Sequence, residues 1–133
     1  MPMMLKLLAA QDHQPPAEDD ARMVALPNDA DAMTLPLDNV DRVDLHFPNF
    51  TDGRAFSQAF LLRRRRGFKG DIRATGDVLI DQLVQMQRTG FSSAVLREGV
   101  DVTDAQRQFE LFPGFYQGDA VNPKPPFASR AAA

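Results

Sequence analysis

From Arg42 onward the chain moves back and forth between two hydrophobic periods. Val43-Asp44-Leu45-His46-Phe47 alternates apolar and polar residues, which puts Val43, Leu45 and Phe47 on one face of a strand. Pro48 ends that run. Thr51-Asp52-Gly53-Arg54 opens a helix running to about Arg66, with Thr51 or Asp52 offering an N-cap oxygen to orphan amides. Phe56, Ala59, Phe60 and Arg63 fall at i, i+3, i+4 and i+7, which predicts Phe56 and Phe60 as anchors of the buried stripe. Gly67 is placed to end the helix. The pattern then repeats. Gly70 to Thr75 reads as a second strand, and Gly76-Asp77 ends it and caps a helix from Val78 to about Arg88. Leu79, Leu83 and Met86 share one face of that helix. Ser93 to Arg97 is a third strand, and Asp101-Val102-Thr103-Asp104 leads into a third helix, about Ala105 to Leu111.

Connections of two to six residues between such elements imply parallel strands with right-handed crossovers. The expected fold is therefore α/β: a small, mainly parallel sheet of three to four strands built from right-handed β-α-β units. It resembles part of a (β/α) barrel or of a flavodoxin-like sheet. The chain divides into an acidic, largely flexible leader over residues 1–35, an α/β domain over 36–119 and a Pro-rich extended tail over 120–133. In the leader, Met3–Ala10 is a short apolar segment that reads as a helix, and Met23–Leu26 reads as an edge strand before the turn at Pro27-Asn28-Asp29. An open sheet leaves two edges that need cover. The edge strand, the aromatic tail around Phe115 and Tyr116, or a second subunit would close them, so a homo-oligomer is expected.

Charge and composition narrow the function classes. The net charge is −3 in 133 residues. Residues 1–35 carry six acids against two bases, which leaves the rest of the chain near neutral. That balance speaks against nucleic-acid binding. No apolar run approaches the roughly 20 residues of a membrane span, and a cytoplasmic location is expected. There is no cysteine, so thiolate nucleophiles and cysteine-ligated zinc or iron–sulfur centres are excluded. With His46 the one histidine in a regular element, no dense transition-metal site is expected. No dinucleotide fingerprint, phosphate-binding loop or nucleophile elbow is present, so no cofactor is expected.

In parallel sheets the loops leaving the strand carboxyl ends carry function. Those loops hold Asp52, Gly53 and Arg54, then Gly76 and Asp77, with Arg73 two residues before the end of its strand. Two readings stand side by side. Asp52 and Asp77 are helix caps paired with the arginines, or the set converges on a small anion at helix N-termini. The basic run Arg63-Arg64-Arg65-Arg66 lies at a helix C-terminus, where cations complement the dipole. One of the four has to face inward, and the run also offers a docking patch for an acidic partner.

Phe47-Pro48-Asn49-Phe50-Thr51-Asp52-Gly53-Arg54 and the stretch from Gly70-Asp71-Ile72-Arg73 through Gly76-Asp77-Val78-Leu79-Ile80-Asp81-Gln82-Leu83 resemble a bacterial family known as domain of unknown function 934. The resemblance runs from about Val43 to Asp119. It implies an association with sulfite reductase and other sulfate-assimilation enzymes, and the label of an oxidoreductase in sulfite reduction. It implies no catalytic residues. Without a thiolate, siroheme and cluster chemistry has no ligand here, so the expectation is an accessory protein that binds an anion or a partner. A small enzyme with its site at the strand carboxyl ends, or a structural oligomeric module, are the alternatives.

Overall fold

The computed structural model describes residues 5–17, 19–49 and 51–111. The aromatic pair Phe115 and Tyr116 and the Pro-rich segment 120–133 lie outside the described residues. Five strands form one parallel sheet: β1 (Lys6–Leu8), β2 (Met23–Leu26), β3 (Arg42–Phe47), β4 (Asp71–Gly76) and β5 (Ser93–Val95). Their spatial order is β1-β5-β4-β3-β2. The fold is α/β with a parallel sheet, as the periodicity requires, and it has one strand more than the upper count expected. That strand is β1. The Met3–Ala10 segment is not a helix over Lys6–Leu8: Leu5 and Leu7 are buried and Lys6 is exposed, the period of a strand, and Leu7 pairs with Ala94. A short apolar run does not distinguish the two conformations. A neighbouring strand with unpaired amides does.

α1 (Arg54–Phe60) connects β3 to β4 and continues into a π-helical turn over Leu61–Arg65. α2 (Leu83–Thr89) follows a 3-10 turn at Ile80–Gln82 and leads to β5, and α3 (Val102–Leu111) follows β5. The second helix thus starts at Ile80 rather than at Val78. Asp101 caps α3, its Oδ1 accepting from the amides of Thr103 and Asp104 at 2.8 and 3.3 Å. The buried stripe of α1 is Ala55, Gln58, Ala59 and Leu62, one step round from the expected one. Phe56 is half-buried and packs edge-on against Phe47, ring centroids 5.0 Å apart. Phe60 is exposed, with the Arg64 guanidinium over its ring at 5.6 Å. Small residues at 55 and 59 let the helix approach the sheet, which turns Phe60 outward.

Strand order explains how the two sheet faces differ. β2, β3, β4 and β5 advance in one direction, and their helices cover the face carrying Val43, Leu45, Phe47, Ile72 and Ala74. The step from β1 to β2 runs the opposite way, from one edge to the other. It crosses about 19 Å at the usual strand spacing. A right-handed crossover in that direction lies on the other face. His13 and Gln14 do lie there: the backbone carbonyl of Gln14 accepts from Arg42, and His13 sits beside Asp44 and Arg73. The chain between β1 and β2 is a strap over the polar face of the sheet.

Candidate functional site

Beneath the strap, alternate residues of three strands form a charged layer. Arg42 Nε donates to Asp44 Oδ1 at 2.7 Å, and Arg42 also reaches Asp44 Oδ2 at 3.2 Å and the Gln14 carbonyl at 2.8 Å. Both side chains are buried, Arg42 at 8% exposure and Asp44 at 4%. On β4, Arg73 donates to Asp71 Oδ2 at 3.1 Å, Ser93 Oγ at 3.0 Å and His13 Nδ1 at 3.2 Å. Ser93 Oγ in turn donates to Asp71 Oδ1 at 2.8 Å. The layer balances two guanidiniums with two carboxylates, as buried charge demands. Burial raises the Asp44 carboxyl above its ordinary value, against the hydrogen bond and charge of Arg42. His13 is lowered by burial and by Arg42 and Arg73, with Asp44 opposing.

The strap leaves a cleft of about 460 Å³ where it passes the carboxyl ends of β2, β3 and β4. Pro15, Pro16, Ala25, Leu26 and Pro27 give it apolar walls, and His13, Asp44, His46 and Thr75 bring polar groups into it. Mostly apolar walls with a few convergent polar groups, at this volume, describe a small-molecule site. Thr75 Oγ1 donates to the Leu45 carbonyl at 3.3 Å and lies 3.4 Å from His46 Nδ1. Gly76 closes the floor of the cleft with φ +93°. A Cβ there would lie 2.3 Å from the Phe47 carbonyl oxygen and 2.7 Å from the His46 ring.

The residues that the sequence grouped as a ligand rim do not form one cluster. Arg54 closes onto Asp52, with NH2 at 2.8 Å from Oδ2 and Nε at 3.2 Å from Oδ1, and Asn28 donates to the same carboxylate at 2.8 Å. Asp52 also accepts the Arg54 amide at 3.0 Å, at the entrance to α1 beside Gly53. Asp77 pairs with Arg97 at 3.4 Å. Arg73 lies on the strap face and belongs to the buried layer. Only Gly76 of the expected set lines the cleft. Each of Arg54, Arg73 and Arg97 already faces a carboxylate: i, i+2 spacing at a helix entrance or along a strand brings Asp52 to Arg54 and Asp71 to Arg73, and the fold brings Asp77 to Arg97.

The Arg54 hydrogen bonds hold the Asp52 carboxyl at about 2. This pairing helps the folded state above the ordinary value of 3.8, and the help is lost as pH falls through about 2. In Arg54→Ala, the Asp52 titration followed by carboxyl NMR is expected to return toward 3.8, with little change in unfolding temperature because Arg54 is exposed. An unmoved titration overturns this assignment.

Within the arginine run the π-turn separates the roles. Arg63 is half-buried and donates to the carbonyls of Gly90, Phe68 and Gly70 at 2.8, 2.9 and 2.6 Å. Arg66 donates to the carbonyls of Ala32 and Leu35. Arg64 and Arg65 are exposed, so these two carry whatever charge the run presents to a partner. The strap histidine was missed in the sequence because it sits in a segment of linker composition, with no periodicity to place it. Arg42 and Asp44 were legible as a polar face, but nothing local showed that the face is covered.

A family model for bacterial proteins of unknown function, DUF934, matches residues 23–127. The chain belongs to DUF934. The DUF934 match starts at the first residue of β2, so β1 and the strap precede it, while Asp44, His46, Thr75 and Gly76 fall inside it. No curated protein and no solved structure matches the chain. Among the described residues of this DUF934 member there is no group of three or more His, Asp or Glu side chains able to hold a metal ion. No helix among them is long and apolar enough to cross a membrane.

Proposed function

We propose that the chain is an accessory protein that binds a small polar ligand in the strap-covered cleft and serves sulfite reduction and sulfate assimilation. The observation that carries the binding role is the cleft itself: an apolar-walled space at the strand carboxyl ends into which His13, Asp44, His46 and Thr75 converge. The link to sulfur metabolism rests on the family resemblance, and it supplies the first ligands to try. Binding is favoured over redox catalysis because a chain without cysteine has no thiolate with which to hold a cluster or exchange electrons.

Titration with sulfite, sulfate and adenylyl sulfates, followed by the ring resonances of His46, is expected to give a saturable shift with one of them. His46→Ala is expected to weaken that binding at least about tenfold, the worth of one hydrogen bond to a charged group, and Thr75→Val, which loses the contact beside the His46 ring, to weaken it in the same direction. No shift at millimolar concentration of any of the three overturns the choice of ligands. Co-purification with sulfite reductase supports the accessory role, and its absence from a pull-down with tagged chain counts against it.

A second reading has one observation in its favour. The chain His46 Nδ1 to Thr75 Oγ1 to the Leu45 carbonyl orients an imidazole as an acid–base group facing the cleft. An enzyme requires turnover that His46→Gln abolishes while the fold persists.

A further inference from the structure

Beside the Gln14 carbonyl held by Arg42 at 2.8 Å, the strap is held by His13 contacts that require one protonation state of the ring. Arg73 NH1 lies 3.2 Å from His13 Nδ1, and a guanidinium has only protons to offer, so Nδ1 must be the acceptor. The remaining proton is then on Nε2, which faces Asp44 Oδ2 at 3.6 Å. The docked ring is therefore the neutral tautomer. Protonation would set an N–H of a cation against the N–H of Arg73. The groups around the ring are Arg42, Asp44 and His46 from β3, and Arg73, Asp71 and Thr75 from β4. Asp44 favours the imidazolium, but it is already engaged by Arg42 at 2.7 and 3.2 Å. Asp71 is engaged by Arg73 and Ser93. No second carboxylate of this layer is left to take the new charge.

We propose that residues 9–17 and 19–22 form a proton-operated strap: neutral His13 holds it over the cleft, and protonated His13 releases it. Release uncovers Asp44 and removes Pro15 and Pro16 from the cleft wall. Two anchors stay put. β1 remains paired with β5, and the Arg22 carbonyl remains bonded to the amides of Asp41 and Arg42 at 2.7 and 3.2 Å. The strap therefore lifts between fixed ends.

The direction follows from linkage. Burial and the two guanidiniums lower the docked His13 below its ordinary 6.5, so the docked state binds fewer protons than the released one. Docking is complete above pH 6.5 and weakens as pH falls below it, by at most about tenfold per pH unit because one proton is linked. Asp44 acts in the opposite sense, since burial raises it from its ordinary 3.8, and the His13→Gln comparison separates its contribution from that of the histidine.

The inference depends on the ligand-site reading only for its consequence, the opening of the cleft. The test measures amide hydrogen exchange of residues 9–17 and 19–22 at pH 7.5 and 5.5, corrected for intrinsic rates, in wild type and His13→Gln. Wild type is expected to lose strap protection at pH 5.5 while β3 and β4 keep theirs, and His13→Gln to show the same protection at both pH values. NMR titration of the wild-type rings is expected to place His13 below 6.5. Equal wild-type protection at both pH values, an identical loss in His13→Gln, or a His13 titration at or above 6.5 overturns the strap. Ligand titrations at both pH values separate the two readings. A strap that opens with no ligand bound at either pH sinks only the binding role, and a bound ligand over a pH-indifferent strap sinks only the gate.

Discussion

Arg63→Met is expected to lose about 3 kcal/mol or more of folding stability, the largest effect of any single change in the arginine run. The guanidinium is a hub for three carbonyls in two separate places, Phe68 and Gly70 before β4 and Gly90 after α2. It also reaches Ser92 Oγ at 3.4 Å. Methionine keeps much of the stem and removes every donor. Each carbonyl left without a partner in a half-buried site costs about 1–3 kcal/mol, and the guanidinium is already desolvated enough that burial lowers its pKa. Gly90 has φ +117°, and a Cβ there would lie 2.5 Å from Arg63 Cγ, so stem and glycine are fitted to one another. Urea unfolding checks this, with Arg64→Met as the comparison. Arg64 is exposed and stacks on an exposed Phe60, so its loss is expected to stay below about 1 kcal/mol. Equal midpoints for the two variants would show that the carbonyl hub is not what holds α1, β4 and α2 together.

Gly76→Ala is the second large effect, and it joins the fold to the site. The residue ends β4 opposite Phe47, with φ +93°, a region where a side chain costs about 1–3 kcal/mol. The added carbon would meet the Phe47 carbonyl oxygen at 2.3 Å, a backbone atom that also accepts the Asp77 amide at 2.8 Å. Relief requires β3 and β4 to part at their carboxyl ends. The expected loss is about 3 kcal/mol, strain and steric terms together. The His46 ring, 2.7 Å from the new carbon, is expected to shift, and its resonances to move even at temperatures where the variant is folded. A variant with wild-type stability and unmoved His46 signals refutes the close approach that shapes the cleft floor.

Much of the fold was legible along the chain. Alternation in residues 43–47 and the 3.6-residue pattern that follows are local properties of backbone geometry, so β3, α1, β4, α2, β5 and α3 could be placed within a few residues. The misplacements have local causes too. Phe60 was assigned to the core because it is large and correctly spaced, whereas Ala55 and Ala59 are the residues small enough to lie against the sheet. The segment holding β1 reads as a helix because three residues carry no period that decides between the two forms.

The charged layer and the cleft were not legible in the same way. Asp52, Arg54, Asp77 and Arg73 looked like one rim because all sit near strand ends in the sequence. In the fold, Asp52 and Arg54 neutralise each other, Asp77 turns to Arg97, and Arg73 points to the opposite face. Strand alternation decides that last point, since Arg73 is in register with Asp44 and Ser93.

Sequence alone determined the α/β class, the parallel β-α-β connections from β3 to β5, the absence of thiolate chemistry and the membership suggested by the Asp52-Gly53-Arg54 and Gly76-Asp77 motifs. These depend on residue type and on spacing within about ten positions. Tertiary structure alone decided that β1 crosses to the far edge of the sheet, that His13 and Gln14 lie over its polar face, and that His13 meets Asp44 and Arg73. Those contacts join residues 31 and 60 positions apart, and they follow from the direction of one crossover, which no local pattern of polar and apolar residues records.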